Sequence, residues 1–546
     1  MFRYGSRAGL AVIVTMGVLA CTESLRAADD RGTVEGVVKS SAGRPLPGAF
    51  VKLKNAQRRL TFLVITQEQG RYTAADLPPG TYTAQGVGNG FESSWSAPVE
   101  VAAGKVAKLD LSLTNKMGPI MPASWPGRVP EAAKVNMSLP EGAGKQIVST
   151  RCTGCHDLDD HPVLRTRATR NRWQNTVNSM RQNIRNQGQK DLTEEEAKTL
   201  VDYLATNFKP EMDYDDNSRL PRTLLQGKAR KYRVVQYNIE NDEAEPHDIA
   251  VDPYGNGWAN QRTGGKLGRL DGKTLEYSEI SLPAGKAGIA RPGNLQIDSK
   301  GIAWLPDASA DRRWLSLDTK TGEFKSYPFP TTIRGGPNGN SMAVHPDGSI
   351  WSSGPGAARR LDPATGEFKE YDSPTWLKTK RNPGGYGIAI AGDGKVWFAE
   401  SGADQMAKVD PATGIVEEFK IPVAGRVLPR RMGPDGEGNI WVGLWYAGKL
   451  MKIDAKSNEM TSYNPPTPTS GAYSVSVDKK NNLVYVSFQQ VDKIARFNHK
   501  TGEWVEYPLP ESESDTRRIE VDKTNPKRIW WSGTITSRMG FLDILE

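Results

Sequence analysis

From residue 232 onwards, an aromatic residue recurs seven times at intervals of 44–47 residues, each time where a strand of alternating apolar and polar positions begins. Each one follows a turn of the Asp-x-x-Gly type, and a second turn such as 362–366 opens a hairpin further along each copy. Seven copies of a four-stranded unit of this length predict a seven-bladed β-propeller over residues 232–546. We interpret the aromatic residues as packing between strands, at Trp258, Trp304, Trp351, Trp397, Trp441, Tyr485 and Trp530.

The seventh copy reaches Glu546 before its fourth strand is complete. The segment 232–239, ahead of the first full copy, has the alternation of a strand. We therefore expect this segment to supply the missing outer strand and close the ring, so that the propeller has no open sheet edge.

A second region of alternation covers residues 32–114, where short runs such as 34–38 and 49–53 are separated by glycine and proline turns. This pattern predicts a small β-sandwich. The segments 43–49 (GRPLPGA) and 77–82 (LPPGTY) resemble the carboxypeptidase regulatory-like fold. The resemblance implies a spacer or adhesive module without catalytic residues. Residues 115–137 are rich in proline and predict a stiff linker.

Residues 152–156, between these two regions, read C-T-G-C-H. C-x-x-C-H is the spacing by which two thiols capture the vinyl groups of a haem and present the following histidine to its iron. The motif predicts one covalent haem c on Cys152 and Cys155, with His156 as an axial ligand. A thioredoxin-like redox pair and a zinc half-site are the alternatives. A zinc site needs a second pair of ligands at ligand spacing, but Cys21 is the one other cysteine, and His161, the nearest other histidine, lies five residues on.

The residues around this motif predict a small all-α domain over residues 138–209. Apolar residues recur at helical spacing from 170 to 186, and Thr193 with Glu196 forms a capping box before a further helix. The region resembles the class I cytochrome c domain, which implies that its helices surround the haem.

An electron-carrying haem needs a second axial ligand, and Met180 is the single methionine between Met137 and Met212. Resemblance to the W-x3-V-x2-M pattern of short c-type domains implies that Met180 binds the iron, and thioether ligation raises the reduction potential. Ligation by His161, an open sixth site and a purely packing methionine are the alternatives.

The N-terminus predicts export. Arg3 and Arg7 precede an apolar run over residues 8–20, and a small-residue cleavage site follows at 25–27. We interpret residues 1–28 as a secretory signal peptide. Alternatively, residues 18–21 form a lipobox, which would make Cys21 an acylated N-terminus. Both interpretations place the mature chain in the periplasm, soluble or lipid-tethered, without a transmembrane segment.

The formal net charge is +8, and residues 161–190 contain seven basic residues and no acidic one. An exported protein gives no reason to bind nucleic acid. We interpret this run as a surface that steers an acidic redox partner, such as a periplasmic dehydrogenase or cytochrome, towards the haem. An ordinary solvated face is the alternative.

The innermost strands of a propeller converge on its central channel, so equivalent positions in the seven copies predict the residues at the channel mouth. Five positions before each turn lies a ring that consists of His247, Gly293, Asn340, Tyr386, Arg430, Tyr473 and Arg517. Three positions after each aromatic residue lies a second ring that consists of Gln261, Asp307, Gly354, Glu400, Leu444, Phe488 and Gly533.

These rings contain the candidate site residues of the propeller. His247, Glu400 and Tyr386 are the candidate catalytic residues, the first two also as metal ligands. Two arginines are suited to hold an anion. The candidate substrate-binding residues are Arg430, Arg517, Asn340 and Tyr473. The alternative for each residue is a satisfied polar side chain that lines a wet channel.

The segments 246–252 (PHDIAVD) and 396–400 (VWFAE) resemble the virginiamycin B lyase family of seven-bladed propellers, and the resemblance extends over residues 232–546. It implies an elimination that opens a cyclic depsipeptide through histidine, glutamate and Mg²⁺. In the family pattern both residues lie in one blade. Here His247 shares its blade with Gln261, and Glu400 shares its blade with Tyr386, so no blade contains the pair.

The sequence therefore predicts a multidomain, mainly β protein with a β-sandwich, a small all-α cytochrome c domain and a propeller. We expect a periplasmic monohaem cytochrome that transfers electrons, with a propeller that binds a small anionic or aromatic substrate or docks a redox partner. The alternatives are a metal-dependent lyase that acts through His247 and Glu400, with Mg²⁺ in the propeller, and an interaction scaffold.

Overall fold

The computed structural model describes residues 31–121, 123, 139–152, 169–186, 190–209, 217–241, 243–286, 288–309 and 311–546. The predicted signal peptide at 1–28, most of the linker at 115–137, and Cys155, His156 and His161 lie outside the described residues. The described chain is mainly β, as predicted. No helix in these ranges is long and apolar enough to cross a membrane.

The N-terminal region is the predicted β-sandwich. One sheet has the strand order β4-β1-β8, with β9 also pairing with β1, and the other includes the run β10-β6-β5-β2-β3. Alternating residues of both sheets, such as Val34 and Leu53, are buried between them. The strands are β1 (Gly32–Ser40), β2 (Phe50–Asn55), β3 (Leu60–Ile65), β4 (Arg71–Leu77), β5 (Gly80–Gly88), β6 (Phe91–Glu92), β7 (Val99–Val101), β8 (Val106–Lys108), β9 (Leu111–Leu113) and β10 (Asn115–Lys116).

A short helical region follows. Helix α1 (Lys145–Ile147) continues as a π-helical turn over Val148–Cys152, and α2 (Arg170–Asn186) and α3 (Glu194–Asn207) pack against it. The predicted capping box is confirmed, because Thr193 Oγ1 accepts from Glu196 N at 3.1 Å and the Glu196 carboxylate accepts from Thr193 N at 2.8 Å. Trp173 is buried and donates from Nε1 to the Phe208 carbonyl at 3.1 Å.

Six four-stranded antiparallel sheets follow one another along the chain as blades 1 to 6. Their strands are β12 (Pro246–Val251), β13 (Gly257–Gln261), β14 (Lys266–Leu270), β15 (Tyr277–Ser281), β16 (Gln296–Ile297), β17 (Ile302–Asp307), β18 (Arg313–Asp318), β19 (Phe324–Pro328), β20 (Met342–Val344), β21 (Ile350–Gly354), β22 (Ala357–Leu361), β23 (Phe368–Asp372), β24 (Gly385–Ile390), β25 (Val396–Glu400), β26 (Gln405–Val409), β27 (Val416–Lys420), β28 (Pro429–Pro434), β29 (Ile440–Leu444), β30 (Lys449–Ile453), β31 (Met460–Tyr463), β32 (Ala472–Asp478), β33 (Leu483–Phe488), β34 (Lys493–Asn498) and β35 (Glu503–Pro508).

Blade 7 consists of β36 (Ile519–Val521), β37 (Arg528–Gly533) and β38 (Arg538–Ile544), and its outer strand is β11 (Tyr232–Asn238). The predicted closure of the ring by an N-terminal strand is therefore confirmed. The remaining helices are α4 (Pro374–Thr379), which connects blades 3 and 4, and short 3₁₀ turns at Glu68–Gly70, Gly227–Arg230 and Gln489–Val491.

The repeated aromatic residues are buried, as predicted, and the repeated turns hold several of them. Asp252 accepts hydrogen bonds from backbone N–H groups of its own turn and from Trp258 Nε1 at 2.9 Å. Asp435 receives the same bond from Trp441 at 2.9 Å. One aspartate thus shapes the turn and fixes the indole in the core of the blade, which explains why the two features recur in phase.

The sandwich is joined to blade 7 by strand pairing. Strand β11 pairs with β38 along one edge and with β3 of the sandwich along the other, from Arg233 opposite Val64 to Tyr237 opposite Leu60. One sheet of the sandwich and blade 7 therefore form a single ten-stranded sheet. Phe50, Leu63 and Val234 are buried in a single apolar cluster across this junction. The sequence did not predict this contact.

Candidate functional site

The channel mouth is built by the first strand of each blade, and in four blades that strand begins with a β-bulge. The ladder shifts register between Pro246 and Ile249 in β12, and at the equivalent places in β24, β28 and β32. A bulge redirects side chains that the regular alternation of a strand would send to opposite faces. Two consecutive residues of each bulged strand, such as His247 and Asp248, therefore contribute to the channel.

The first predicted ring converges in the structure. The phenol oxygens of Tyr386 in blade 4 and Tyr473 in blade 6 are hydrogen-bonded to each other, although 87 residues separate them. The Arg430 guanidinium in blade 5 lies 4.2 Å from the ring centre of Tyr386 and 5.4 Å from that of Tyr473. Trp445 borders the same guanidinium at 5.1 Å.

A second layer of the channel was missed by the sequence analysis, because it lies one position after the predicted ring. Asp248 is fully buried and accepts two hydrogen bonds from Arg431, at 2.6 and 3.0 Å. Arg518 contacts the same carboxylate at 3.3 Å. These residues come from blades 1, 5 and 7, so the ion pairs cross the channel. Counting one residue further along each copy would have found them.

This network determines the protonation of His247. Burial opposes ionisation of Asp248, but Arg431, His247 and Arg518 outweigh it and hold the pKa of the carboxyl well below its ordinary value. Burial, reinforced by Arg262, lowers the pKa of His247 well below that of a free histidine. The ring is therefore neutral at pH 7, and Nδ1 donates to Asp248 Oδ1 at 2.6 Å. Nε2 is therefore the unprotonated nitrogen of the His247 imidazole.

Arginines at the mouth fall into two groups. Arg517 is paired with Asp515 at 2.8 Å, and Arg431 is paired with Asp248. Within the described chain, Arg262 and Arg430 make no ion pair: Arg262 donates to the Gly293 carbonyl at 3.3 Å, and Arg430 contacts aromatic rings. The mouth therefore contains two guanidinium groups without acidic partners.

The side-chain amides of Asn340 and Asn294 differ in whether they already have hydrogen-bond partners. Asn340, a predicted substrate-binding residue, donates to the Gly385 carbonyl at 2.9 Å and so links blade 3 to blade 4. Asn294, one position after Gly293, is buried, and neither polar atom of its amide has a hydrogen-bond partner among the described residues. An unpaired buried amide marks a place where water or a polar ligand completes the bonding.

Three residues of the second predicted ring are engaged within their own blades. Gln261 donates to Tyr277 and Glu279 of its own blade, and Asp307 is paired with Arg313 of its own blade at 2.9 Å. Glu400 accepts from Gln405 Nε2 at 2.6 Å, also within its blade. His247 bonds Asp248, whereas Glu400 Oε1 is buried without a hydrogen-bond partner among the described residues. The joint action of His247 and Glu400 therefore stays a prediction.

Mg²⁺ does not fit these residues. The Asp248 carboxylate is saturated by arginine and histidine donors, and Glu400 accepts from an amide within blade 4. Across the described ranges, no group of three or more His, Cys, Asp or Glu side chains is arranged to hold a metal ion. The predicted Mg²⁺ site therefore has no ligand set among these residues.

Glu400 is buried beside the half-buried Glu418, and neither carboxylate is paired with a basic residue among the described residues. Blade 6 has Phe488 in place of Glu400 and Lys493 in place of Gln405, and there Lys493 pairs with Glu506 at 2.7 Å. In blade 4 a neutral amide takes the place of the lysine. Burial therefore raises the pKa of Glu400 from 4.5 to about 7, with Glu418 adding to the effect.

We expect the stability of the protein to fall between pH 4.5 and 7 by up to about 3 kcal/mol through this group. A carboxyl whose pKa is raised by folding stabilises the folded state fully below its unfolded pKa, and that contribution is lost as the pH rises through the folded pKa. The Glu400→Gln variant should lack this slope in urea unfolding and be more stable than the wild type at pH 8. In contrast, Glu506→Gln should be less stable at pH 8. Equal slopes for wild type and Glu400→Gln would contradict the prediction.

The helical region docks at the rim of this same mouth. Arg172 of α2 donates to the carbonyls of Ile535 at 2.7 Å and Thr534 at 3.4 Å, and its guanidinium lies 3.6 Å from Glu245. Glu245 is two residues from His247, and Thr534 Oγ1 bonds the Pro246 carbonyl. The contact therefore reaches the first strand of blade 1 at the end that opens into the mouth.

Arginines of the predicted docking surface are engaged within the chain. Arg170 pairs with Asp202, and Arg172 lies 3.6 Å from Glu245. Arg181 pairs with Asp191 at 3.2 Å and with Glu194 at 2.7 Å. These ion pairs reduce the free positive charge that α2 offers to a partner protein. The docking surface remains a prediction.

Comparisons with known proteins identify two of the regions. Residues 33–114 match the family described as carboxypeptidase regulatory-like domain, and residues 319–544 match the virginiamycin B lyase family. No curated protein matches the chain. The N-terminal domain is thus carboxypeptidase regulatory-like and the propeller is virginiamycin B lyase-like.

Solved structures agree on the propeller fold. Selenomethionine-substituted virginiamycin B lyase from Staphylococcus aureus is 20% identical, with a TM-score of 0.50, over 57% of this chain and 100% of that one. A streptogramin B lyase is 20% identical, with a TM-score of 0.51, over 58% and 100%. A catalytically inactive histidine-to-alanine variant of the S. aureus enzyme with quinupristin is 20% identical, with a TM-score of 0.50, over 57% of this chain and 100% of that one. These matches show the fold of the propeller.

Proposed function

We propose that the protein is a periplasmic oxidoreductase that binds a small anion at the channel mouth and exchanges electrons with it through a haem on the helical region. The single observation that carries this proposal is the Arg172 contact, which brings α2 to the rim beside Glu245. A covalent haem beside a ligand site provides a route for electrons. A soluble periplasmic dehydrogenase or cytochrome is the proposed outer partner.

The proposed ligand is anionic because of the unpaired guanidinium groups of Arg262 and Arg430. A charge taken out of water without a partner is costly, whereas an arginine bound to a carboxylate or phosphate is favourable and can bond it at two points. The unpaired amide of Asn294 supports a polar ligand in the same channel. His247 offers its neutral Nε2 to the ligand as a hydrogen-bond acceptor.

The described residues fit a c-type haem. Cys152 ends a helical turn, and Met180 is 39% exposed although Trp173 and Val177 of the same helix are buried. An exposed thioether at the edge of an apolar core is suited to an apolar group that covers it. When bound, the haem would supply one-electron transfer, with Cys152, Cys155, His156 and Met180 as its predicted attachment and ligands.

We expect Met180→Ala to retain covalent haem but to lower its reduction potential and remove the sulfur-to-iron charge-transfer band, because a thioether stabilises reduced iron. Pyridine haemochrome spectra and redox titration of the full chain measure both effects. Met117→Ala, outside the helical region, serves as the control and should change neither. An unchanged band in Met180→Ala would exclude this residue as a ligand.

A second candidate function is an elimination of the lyase type, and the family match and propeller fold favour it. The split between His247 and Glu400 and the missing ligand set for Mg²⁺ argue against it. One experiment separates the two functions. The haem-loaded protein is incubated with small carboxylates, phosphate esters and quinupristin, with and without Mg²⁺. Haem reduction by an anion supports the oxidoreductase, whereas Mg²⁺-dependent opening of quinupristin with an unchanged haem spectrum supports the lyase and overturns our proposal.

A further inference from the structure

The Tyr386–Tyr473 pair is placed where one phenol can lose its proton. The two rings meet edge to face, with centres 5.9 Å apart and planes at 84°, and their phenol oxygens share a hydrogen bond. Tyr473 is 2% exposed, whereas Tyr386 is half-buried at the mouth. Tyr473 can therefore act as an internal donor, and Tyr386 is the more accessible of the two side chains.

Four arginine side chains, contributed by three blades, lie near this tyrosine pair. Arg430 and Arg431 come from β28, Arg517 from the start of blade 7, and Arg262 from the loop after β13. Asp515 is bound to Arg517 and Asp248 to Arg431 and Arg518, and no carboxylate among the described residues bonds either phenol. The pair thus faces more positive charge than the nearby carboxylates balance.

We propose that Tyr386 is held as a phenolate and is the proton acceptor of the channel mouth. The phenolate balances one of the two unpaired guanidinium groups, Arg430, which lies over its ring. A singly charged substrate then balances the other, Arg262. The inference about substrate charge rests on the proposed function, whereas the phenolate itself does not require a ligand.

The electrostatics of the pair support this assignment. Burial opposes ionisation of Tyr386, but Arg430, Arg431 and Arg517 outweigh it, so its pKa lies below the ordinary value of tyrosine. Burial and the charge of Tyr386 raise the pKa of Tyr473, so Tyr473 keeps its proton. In the proposed step the X–H bond of the substrate breaks, its proton moves to Tyr386 Oη, and the electron pair stays on the substrate atom X beside Arg262.

Near-ultraviolet difference titration of the haem-loaded full chain tests the phenolate without a substrate. We expect one tyrosine of the native wild type to ionise at a lower pH than an ordinary tyrosine. Tyr386→Phe should lack this ionisation. Tyr473→Phe should retain it with a higher pKa, because the arginines remain and one hydrogen bond is lost. Tyr254→Phe, which alters an exposed tyrosine, should equal the wild type.

The same variants test the catalytic role. With an anion that reduces the haem, the rate should rise with pH in the wild type as Tyr386 ionises, and Tyr386→Phe should be slow at every pH. A tyrosinate signal that persists in Tyr386→Phe, or equal pH profiles for the two proteins, would overturn the inference. If no anion reduces the haem, the proposed function fails, and the titration still decides on the phenolate.

Discussion

Asp248→Asn should lower the free energy of unfolding by about 3–5 kcal/mol at neutral pH, the cost of breaking a buried ion pair from one side. Arg431 would remain buried without its counter-ion, and Arg518 would lose one of its two acidic partners. Because these arginines come from blades 5 and 7, the loss should affect the whole ring and not blade 1 alone.

Urea unfolding of the full chain measures this effect. Glu417→Gln is the control, since its ion pair with Lys408 is more than half exposed at the carboxylate, and it should cost at most about 1 kcal/mol. Adding Arg431→Met to Asp248→Asn should recover part of the loss, because an apolar side chain needs no counter-ion. A loss as small as that of the control would show that the network contributes little to stability.

Replacing Arg262 and Arg430 together with glutamine should weaken anion binding by about 100-fold or more, since each charged hydrogen bond contributes about 1.5–3 kcal/mol. Among the described residues neither guanidinium is paired with a carboxylate, so their loss removes attraction for the ligand without leaving a buried carboxylate unpaired. The loss of Arg430 also removes a charge that lowers the pKa of Tyr386. The haem spectrum and the unfolding midpoint should stay close to those of the wild type.

Calorimetric titration with benzoate and inorganic phosphate measures the binding of these probes. Arg517→Gln is the informative comparison, because Asp515 already neutralises that arginine and the loss of affinity should be smaller. Arg360→Gln, in the third strand of blade 3 and paired with Asp347, should have no effect. Unchanged affinity in the double variant would remove the mouth as the anion site.

The periodic part of the fold could be predicted from sequence, because each blade repeats the same turn aspartate and buried aromatic residue. The first channel ring followed from that repeat. The partners of the second ring could not be predicted, because counting positions ignores strand register: Gln261 and Glu400 end second strands, and their side chains bond within the blade. The bulges that bring Asp248 and Arg431 into the channel depend on ladder geometry, which a single sequence does not show.

The union of sandwich and propeller could not be predicted either. Both β3 and β11 look like ordinary alternating strands, and nothing local indicates that they pair. Their contact depends on apolar surface contributed by residues far apart in the chain, such as Phe50 and Ile544. The haem prediction, by contrast, rests on a local motif and remains a prediction, since Cys155 and His156 lie outside the described residues.

The pairing of β3 with β11 has a consequence for the order of folding. Strand β11 ends at Asn238, whereas its other neighbour, β38, begins at Arg538, 300 positions later. Closing a ring over such a distance is a slow, non-local step, and an unpaired strand edge exposed meanwhile invites aggregation. Because the sandwich is made first, it can hold β11 extended while the blades assemble. Ring closure then becomes the addition of a final strand to a prepared edge, at a rate that depends on the N-terminal domain having folded.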